Sequence, residues 1–248
     1  MIDAYLWTTW CRDLFRVSRF MASRRARVIL AGNVLLCLSL ILVVLLTASS
    51  QDVRRDPYYV VFYELVAALW LAGALRLFPF LGISIRDDVL ERRNLSAFWA
   101  INGALIGVAA AFGGGNVGNG PGPEVVIFCA AIATLAFFLA WLLLEAVGAN
   151  WSEAVTVDRD PGSGIRLGGV LAATGFVFGS AVTGDWVSAG ITLRDLLARS
   201  WPLLPTFCLA LSLERVLRRS PRAFRGWLAA ALYLSVTIIC VAIERRIR

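Results

Sequence analysis

The side chains able to do chemistry are few, and what is missing decides most of the reading. The chain of 248 residues has no His, and all 24 of its basic residues are Arg. That removes the commonest general base and metal ligand, together with any Schiff-base or phosphate-loop lysine. The five cysteines, Cys11, Cys37, Cys129, Cys208 and Cys240, contain no CxxC pair, and four lie in apolar runs. They read as small hydrophobes, not as a zinc site or a disulfide framework. What remains is a set of polar groups in or beside apolar runs: Glu64, Asn102, Glu145, Asp185 and Glu214. A carboxylate in hydrocarbon must be protonated, paired or facing water, so the four acidic residues are candidates for an ion or proton relay or a structural ion pair, and Asn102 for a polar lining. Glu64, roughly two turns inside its run, meets the largest penalty and ranks first. Glu145 and Glu214 stand near run ends, within reach of Arg166 or Arg215.

No nucleophile–base set or metal constellation is visible. The expectation is therefore no catalytic residue, no metal, no cofactor and no enzyme activity. Two short motifs look chemical and read better as turns. Gly113-x-Gly115-x-x-Gly118 has the form of a dinucleotide fingerprint, but it follows an apolar run instead of a strand, and Pro121 and Pro123 follow it. Asp158-Arg159-Asp160 has the spacing of a metal-binding acidic pair, but a helix cap and turn before Pro161 accounts for it.

The elements that position these groups follow from composition. Hydrophobic residues make up 59% of the chain and charged residues 17%, against about a quarter charged in ordinary soluble domains. The apolar residues fall into separate runs of membrane-spanning length. The predicted fold is an all-α polytopic transmembrane bundle of about seven spans: 28–47, 57–80, 95–113, 125–147, 165–182, 201–217 and 227–243. The sixth is short. The chain divides into an amphipathic helix over 1–27, a two-span hairpin over 28–90, further hairpins over 91–150 and 151–219, and a C-terminal span and tail over 220–248.

Most Arg residues fall in segments that share one side. The positive-inside rule then puts the N-terminus in the cytoplasm and the C-terminus outside, with Arg245, Arg246 and Arg248 against the pattern. The net charge of +7 is thereby explained without nucleic acid. In residues 1–27, Trp7, Trp10, Leu14, Val17 and Met21 share a helix face, and Arg12, Arg16 and Arg19 lie opposite. Two placements fit that pattern equally: the headgroup layer of an anionic leaflet, and the protein's own cytoplasmic side.

Small residues form stripes. Gly164, Gly168, Ala172, Gly175 and Gly179 recur along one helix face, and Gly103 and Gly107 form a shorter version. Such stripes let helices approach closely where lipid offers no hydrophobic drive. The stripe serves either packing within the chain or contact with another protomer or subunit. The hairpins over 91–150 and 151–219 also look alike. A shift of 65 aligns Gly103 with Gly168 and Gly114 with Gly179, whereas a shift of 66 aligns Asn94 with Asp160 and Gly118 with Gly184. Both registers stay open.

Glu91-Arg-Arg-Asn94 before small residues, Asp158-Arg-Asp160 before Gly162-Ser-Gly-Ile-Arg-Leu-Gly-Gly169, and Gly175-Phe-Val-Phe-Gly179 resemble the repeated unit of the DUF350 family, over about residues 91–219. The family comprises bacterial inner-membrane proteins of unknown function built from tandem two-helix repeats. This chain departs from it where Asp160 or Pro161 replaces the second Asn, in its Gly-rich first loop, and in three added spans. The resemblance implies a bacterial inner-membrane location and links to envelope stress, without a catalytic mechanism.

The functional expectation is a membrane subunit or scaffold that acts through helix–helix assembly. Its partners are the lipid bilayer and other membrane subunits or further copies of itself, not nucleic acid. The alternative is a small transporter or channel with a polar path at the repeat interface, lined by Glu64 and Asn102.

Overall fold

The computed structural model describes residues 5–9, 24–217 and 223–247. Beyond the helical residues 5–9, ten α-helices follow in order among the described residues: α1 Arg24–Thr47, α2 Gln51–Arg55, α3 Pro57–Leu77, α4 Leu95–Gly115, α5 Pro123–Leu144, α6 Trp151–Thr156, α7 Pro161–Ala181, α8 Ala189–Arg199, α9 Leu203–Leu217 and α10 Ala223–Ile247. Short π-helical turns precede α4 and follow α5. No strand occurs among the described residues. Among the described residues six helices are long and apolar enough to cross a membrane, and α8 with α9, bent by 43°, makes a seventh if the pair is one span. The chain is an all-α bundle with the architecture of an integral membrane protein. In lipid each backbone N–H and C=O must be satisfied within its own segment, which is why apolar runs of this length fold as helices.

Helix directions follow from which ends touch. The α1 residue Asn33 reaches Asn102 in α4, and Ser49 after α1 bridges Gly118 after α4. Those two helices therefore run parallel. Helix α7 runs parallel to α4 as well, with Gly164 against Ser96 near their starts and Gly179 against Ala110 near their ends. Helix α10 starts beside Gly162 and rises past Gly169. The helices between them return. Two faces result: one carries Asn94 and Asp160, the other Asp185.

The seam between α4 and α7 is the centre. Within their spanning windows 78% of α4 and 89% of α7 is buried, against 33% to 39% for the other four long helices. Aromatic residues fill the space around it: Phe78 lies 5.6 Å from Trp141 between ring centroids, and Trp70 lies 5.6 Å from Phe112.

Three sequence expectations shift. The fifth span begins at Pro161 instead of 165, because Asp160 caps it and the first turn is buried; packing overrides the low helix propensity of Gly162 and Gly164. The short sixth span begins at Leu203 instead of 201 and is joined to α8 at a bend of 43°. Arg199, which ends α8, donates to the Thr183 carbonyl at the far end of α7 (3.0 Å), while Glu214 of α9 reaches the first turns of α7. The fifteen residues of α9 cover ~22 Å at ~1.5 Å each, against a hydrocarbon layer of ~30 Å. At the N-terminus, Trp7 donates its indole N–H to the Ala68 carbonyl (3.1 Å) and Arg76 bonds Thr9, so residues 5–9 dock on α3. Arg12, Arg16 and Arg19 lie outside the described residues.

Candidate functional site

The site grows from two matching helix starts. Asn94 accepts from the N–H groups of Ser96 (2.9 Å) and Ala97 (3.3 Å), and Asp160 accepts from those of Gly162 and Ser163, both at 3.0 Å. Each cap satisfies two of the four N–H groups that a helix start leaves without intrahelical partners. Before each cap stands an Arg in the left-handed region, Arg93 at φ 51° and Arg159 at φ 53°. Beyond each helix a Gly takes positive φ, Gly118 at 120° and Gly184 at 131°. One shift, the 66 residues that separate the bonded pair Asn119 and Asp185, carries every member of the first set onto the second. The two ends are stitched together. Asn94 Nδ2 donates to the Val155 carbonyl (2.6 Å), and Ser96 Oγ donates to the Asp160 carbonyl (2.5 Å).

Between the caps and the far loops the two helices touch backbone to backbone. A Cβ built on Gly103 would overlap Gly168, one on Gly114 would overlap Gly179, and one on Gly175 would overlap Gly107. Gly164 lies equally tight against Ser96, and a Cβ on Gly107 would come within 2.6 Å of the Leu171 carbonyl oxygen. These stripes therefore pack within the chain, α4 against α7.

Beside the seam, near the capped face, lies a buried ionic cluster. Arg166 has no exposed surface and Glu214 is 1% exposed. The guanidinium donates from Nε to Glu214 Oε2 (2.6 Å) and from Nη2 to Glu214 Oε1 (3.2 Å), a fork that fits a carboxylate. Nη2 also reaches Ser163 Oγ (2.8 Å) and Asp160 Oδ2 (3.4 Å), while Ser163 Oγ bonds Glu214 Oε1 (2.7 Å). The cluster thus ties the α7 cap to α9. Arg166 Nη1 and the Tyr233 hydroxyl of α10 are buried without hydrogen-bond partners. Higher between α9 and α10, the Thr206 and Thr237 hydroxyls share a bond of 2.8 Å.

A groove opens on the lipid side of the seam, between α1 and α10. Its cavity volume is about 560 Å³, and its floor includes Gly32, Gly103, Gly168 and Ala172. Asn33 and Asn102 also line it, and Asn33 Nδ2 donates to the Asn102 carbonyl (3.1 Å). Trp99 and Trp227 meet edge to face at 4.8 Å in its wall.

The candidate polar residues do not converge. Asn102 donates its own amide to the Phe98 carbonyl (2.7 Å) and lines the groove. Glu145 accepts from the Ser152 N–H (3.0 Å) and hydroxyl (3.0 Å), closing the turn into α6. Asp185 accepts from the backbone and side chain of Asn119 on the opposite face. Glu64 sits partly buried in α3 with Oε2 unpartnered, and it lines neither the groove nor the cavity beside Asp185. Ser163, Tyr233 and Asn116 were not singled out by the sequence. A Ser three residues after a cap Asp and three before an Arg was the signal available for the first.

Among the described residues no group of three or more His, Cys, Asp or Glu is arranged to hold a metal ion. A comparison of the chain with known protein families, curated proteins and solved structures finds no match.

Proposed function

We propose that the chain is an integral-membrane subunit that works by helix assembly, receiving a transmembrane helix of another subunit in the groove between α1, α4, α7 and α10. The observation that carries this reading is the groove itself. It is floored by small residues, bordered by Trp99 and Trp227, and supplied with the amides of Asn33 and Asn102. Small residues admit a helix backbone, and an amide in the floor gives it a polar contact. The internal glycine seam supports the same reading from the other side, since a rigid pair of parallel helices is a platform that holds the groove open. Under this reading the two 66-residue-spaced hairpins are copies of one unit, in keeping with the DUF350 resemblance. The protein then belongs to a bacterial inner membrane, with the Arg-rich capped face in the cytoplasm.

Gly32 offers a direct test, because a Cβ there meets nothing within 4 Å and the residue lines the groove. Gly32→Leu is expected to leave folding intact and to strip the co-purifying subunit from the protein extracted from native membranes. Recovery of the same complex with the same stoichiometry would overturn the proposal.

A second reading, a small transporter or channel, is favoured by one observation: a cavity of about 370 Å³ open on the Asp185 face. Its path cannot follow the α4–α7 seam, where the backbones touch. Solute flux into proteoliposomes, absent from protein-free vesicles, is what this reading requires.

A further inference from the structure

The cavity on the Asp185 face is built from the loop after α1, the Gly-rich loop after α4, the loop after α7 and one side of α8. Its volume of about 370 Å³ falls within the ~300–1,000 Å³ of small-molecule sites. We propose that it binds a small organic ammonium ion carrying N–H donors.

The charge of the lining is the first argument. Asp52, Asp185, Asp195 and Arg199 all line the cavity. Arg199 is ion-paired with Asp195 one helical turn away, and it donates to the Thr183 carbonyl at the end of α7. That pair is internally neutral, which leaves two carboxylates to set the sign. The Ser50 hydroxyl beside Asp52 holds its carboxyl below the usual carboxylate range, so it is ionised at neutral pH. The site is therefore negative and rejects anions.

The second argument is an orphaned acceptor. Asn116 is 4% exposed and lines the cavity. Its Nδ2 donates to the Phe112 carbonyl (2.9 Å), but its Oδ1 is buried with no donor. A ligand N–H would supply the donor that this oxygen lacks. The third argument is aromatic. Tyr59, Tyr63 and Trp186 border the same space, and ring faces attract cations, most strongly where water is excluded. A metal ion is the poorer guest, since no metal-ligating group of three or more acidic or thiol residues exists among the described residues. An ammonium group satisfies all three features: a carboxylate for its charge, a ring for its face and Asn116 Oδ1 for its hydrogen.

Isothermal titration of the purified full-length chain in detergent tests this, with 1,4-diaminobutane as the probe and tetramethylammonium, sodium chloride and glucose as comparisons. Saturable binding of 1,4-diaminobutane is expected, with tetramethylammonium weaker because it has no N–H to give Asn116. Asp52 is exposed, so Asp52→Asn keeps the fold, as its unchanged melting temperature without ligand would verify. It should weaken binding by about tenfold or more, the loss typical of a charged hydrogen-bond partner. Tyr59→Leu should weaken it by a smaller factor. No saturable binding of the diamine, binding indifferent to Asp52→Asn, or tighter binding of glucose or tetramethylammonium than of the diamine would each overturn the proposal.

Discussion

The Arg166–Glu214 pair makes a prediction whose sign separates two accounts of the cluster. Both side chains are essentially excluded from solvent, and they meet at 2.6 Å. Arg166→Met strands Glu214 as a buried unpaired charge and is expected to lose roughly 3–5 kcal/mol. Glu214→Leu leaves Arg166 the longer contact to Asp160 (3.4 Å) and is expected to lose less. Replacing both removes the stranded charge, and apolar side chains of similar size often restore stability. What the double variant still lacks is the Nη2 contact with Ser163 and Asp160. Asp160 keeps its bonds to the Gly162 and Ser163 N–H groups, so the residual loss should be about 1 kcal/mol. The double variant should therefore be more stable than either single one. Unfolding by SDS titration in mixed micelles, read by far-ultraviolet circular dichroism, gives the four values of the cycle. A double variant that loses the sum of the two single losses would refute the reasoning. It would mean that Arg166 and Glu214 act separately and do not neutralise each other.

Further outcomes follow from the same geometry. Gly175→Ala places a Cβ inside the Gly107 backbone and should cost about 3 kcal/mol or more by forcing α4 and α7 apart. Gly73→Ala in α3 meets nothing within 4 Å and should gain up to about 1 kcal/mol from helix propensity; the same SDS titration compares the two. Asn94→Ala removes the α4 cap and the buried bond to the Val155 carbonyl, for an expected loss of about 2–3 kcal/mol. Asn94→Asp keeps the cap acceptor but turns a carboxylate oxygen toward the Val155 carbonyl in place of the donor, so it should not recover the parent's stability in the same assay.

Much of the architecture was legible because lipid imposes a strict rule on the backbone. Apolar runs bounded by Pro57, Asn94, Pro123 and Asp160 could only be helices, and those residues do begin or cap α3, α4, α5 and α7. Boundaries strayed where tertiary packing outweighed propensity. Gly114 and Gly115 read as loop, yet they finish α4, with Gly114 against Gly179 and Gly115 against Ala130. The register of the two hairpins stayed open because the 65 shift aligns residues that touch across the seam, such as Gly103 with Gly168. The 66 shift aligns residues with the same local geometry, such as Arg93 with Arg159. Only coordinates separate contact from equivalence. The polar sites were harder. Glu214 was a candidate partner of Arg166, but nothing in one sequence brings Tyr233 beside them or leaves Asn116 Oδ1 without a donor.

The central claim is that α4 and α7 run parallel and in register, so that the two capped starts share one side of the membrane. Cysteine labelling with a membrane-impermeant maleimide, in a background lacking the native cysteines, tests it most directly. Glu91 and Val157 are exposed before the two helices, and Pro121 and Val187 are exposed after them. Cysteines at Glu91 and Val157 should label together from one side of sealed vesicles, and cysteines at Pro121 and Val187 together from the other. Labelling of Glu91 and Val157 from opposite sides would contradict the parallel pair, and with it the seam, the groove and the ionic cluster built upon it.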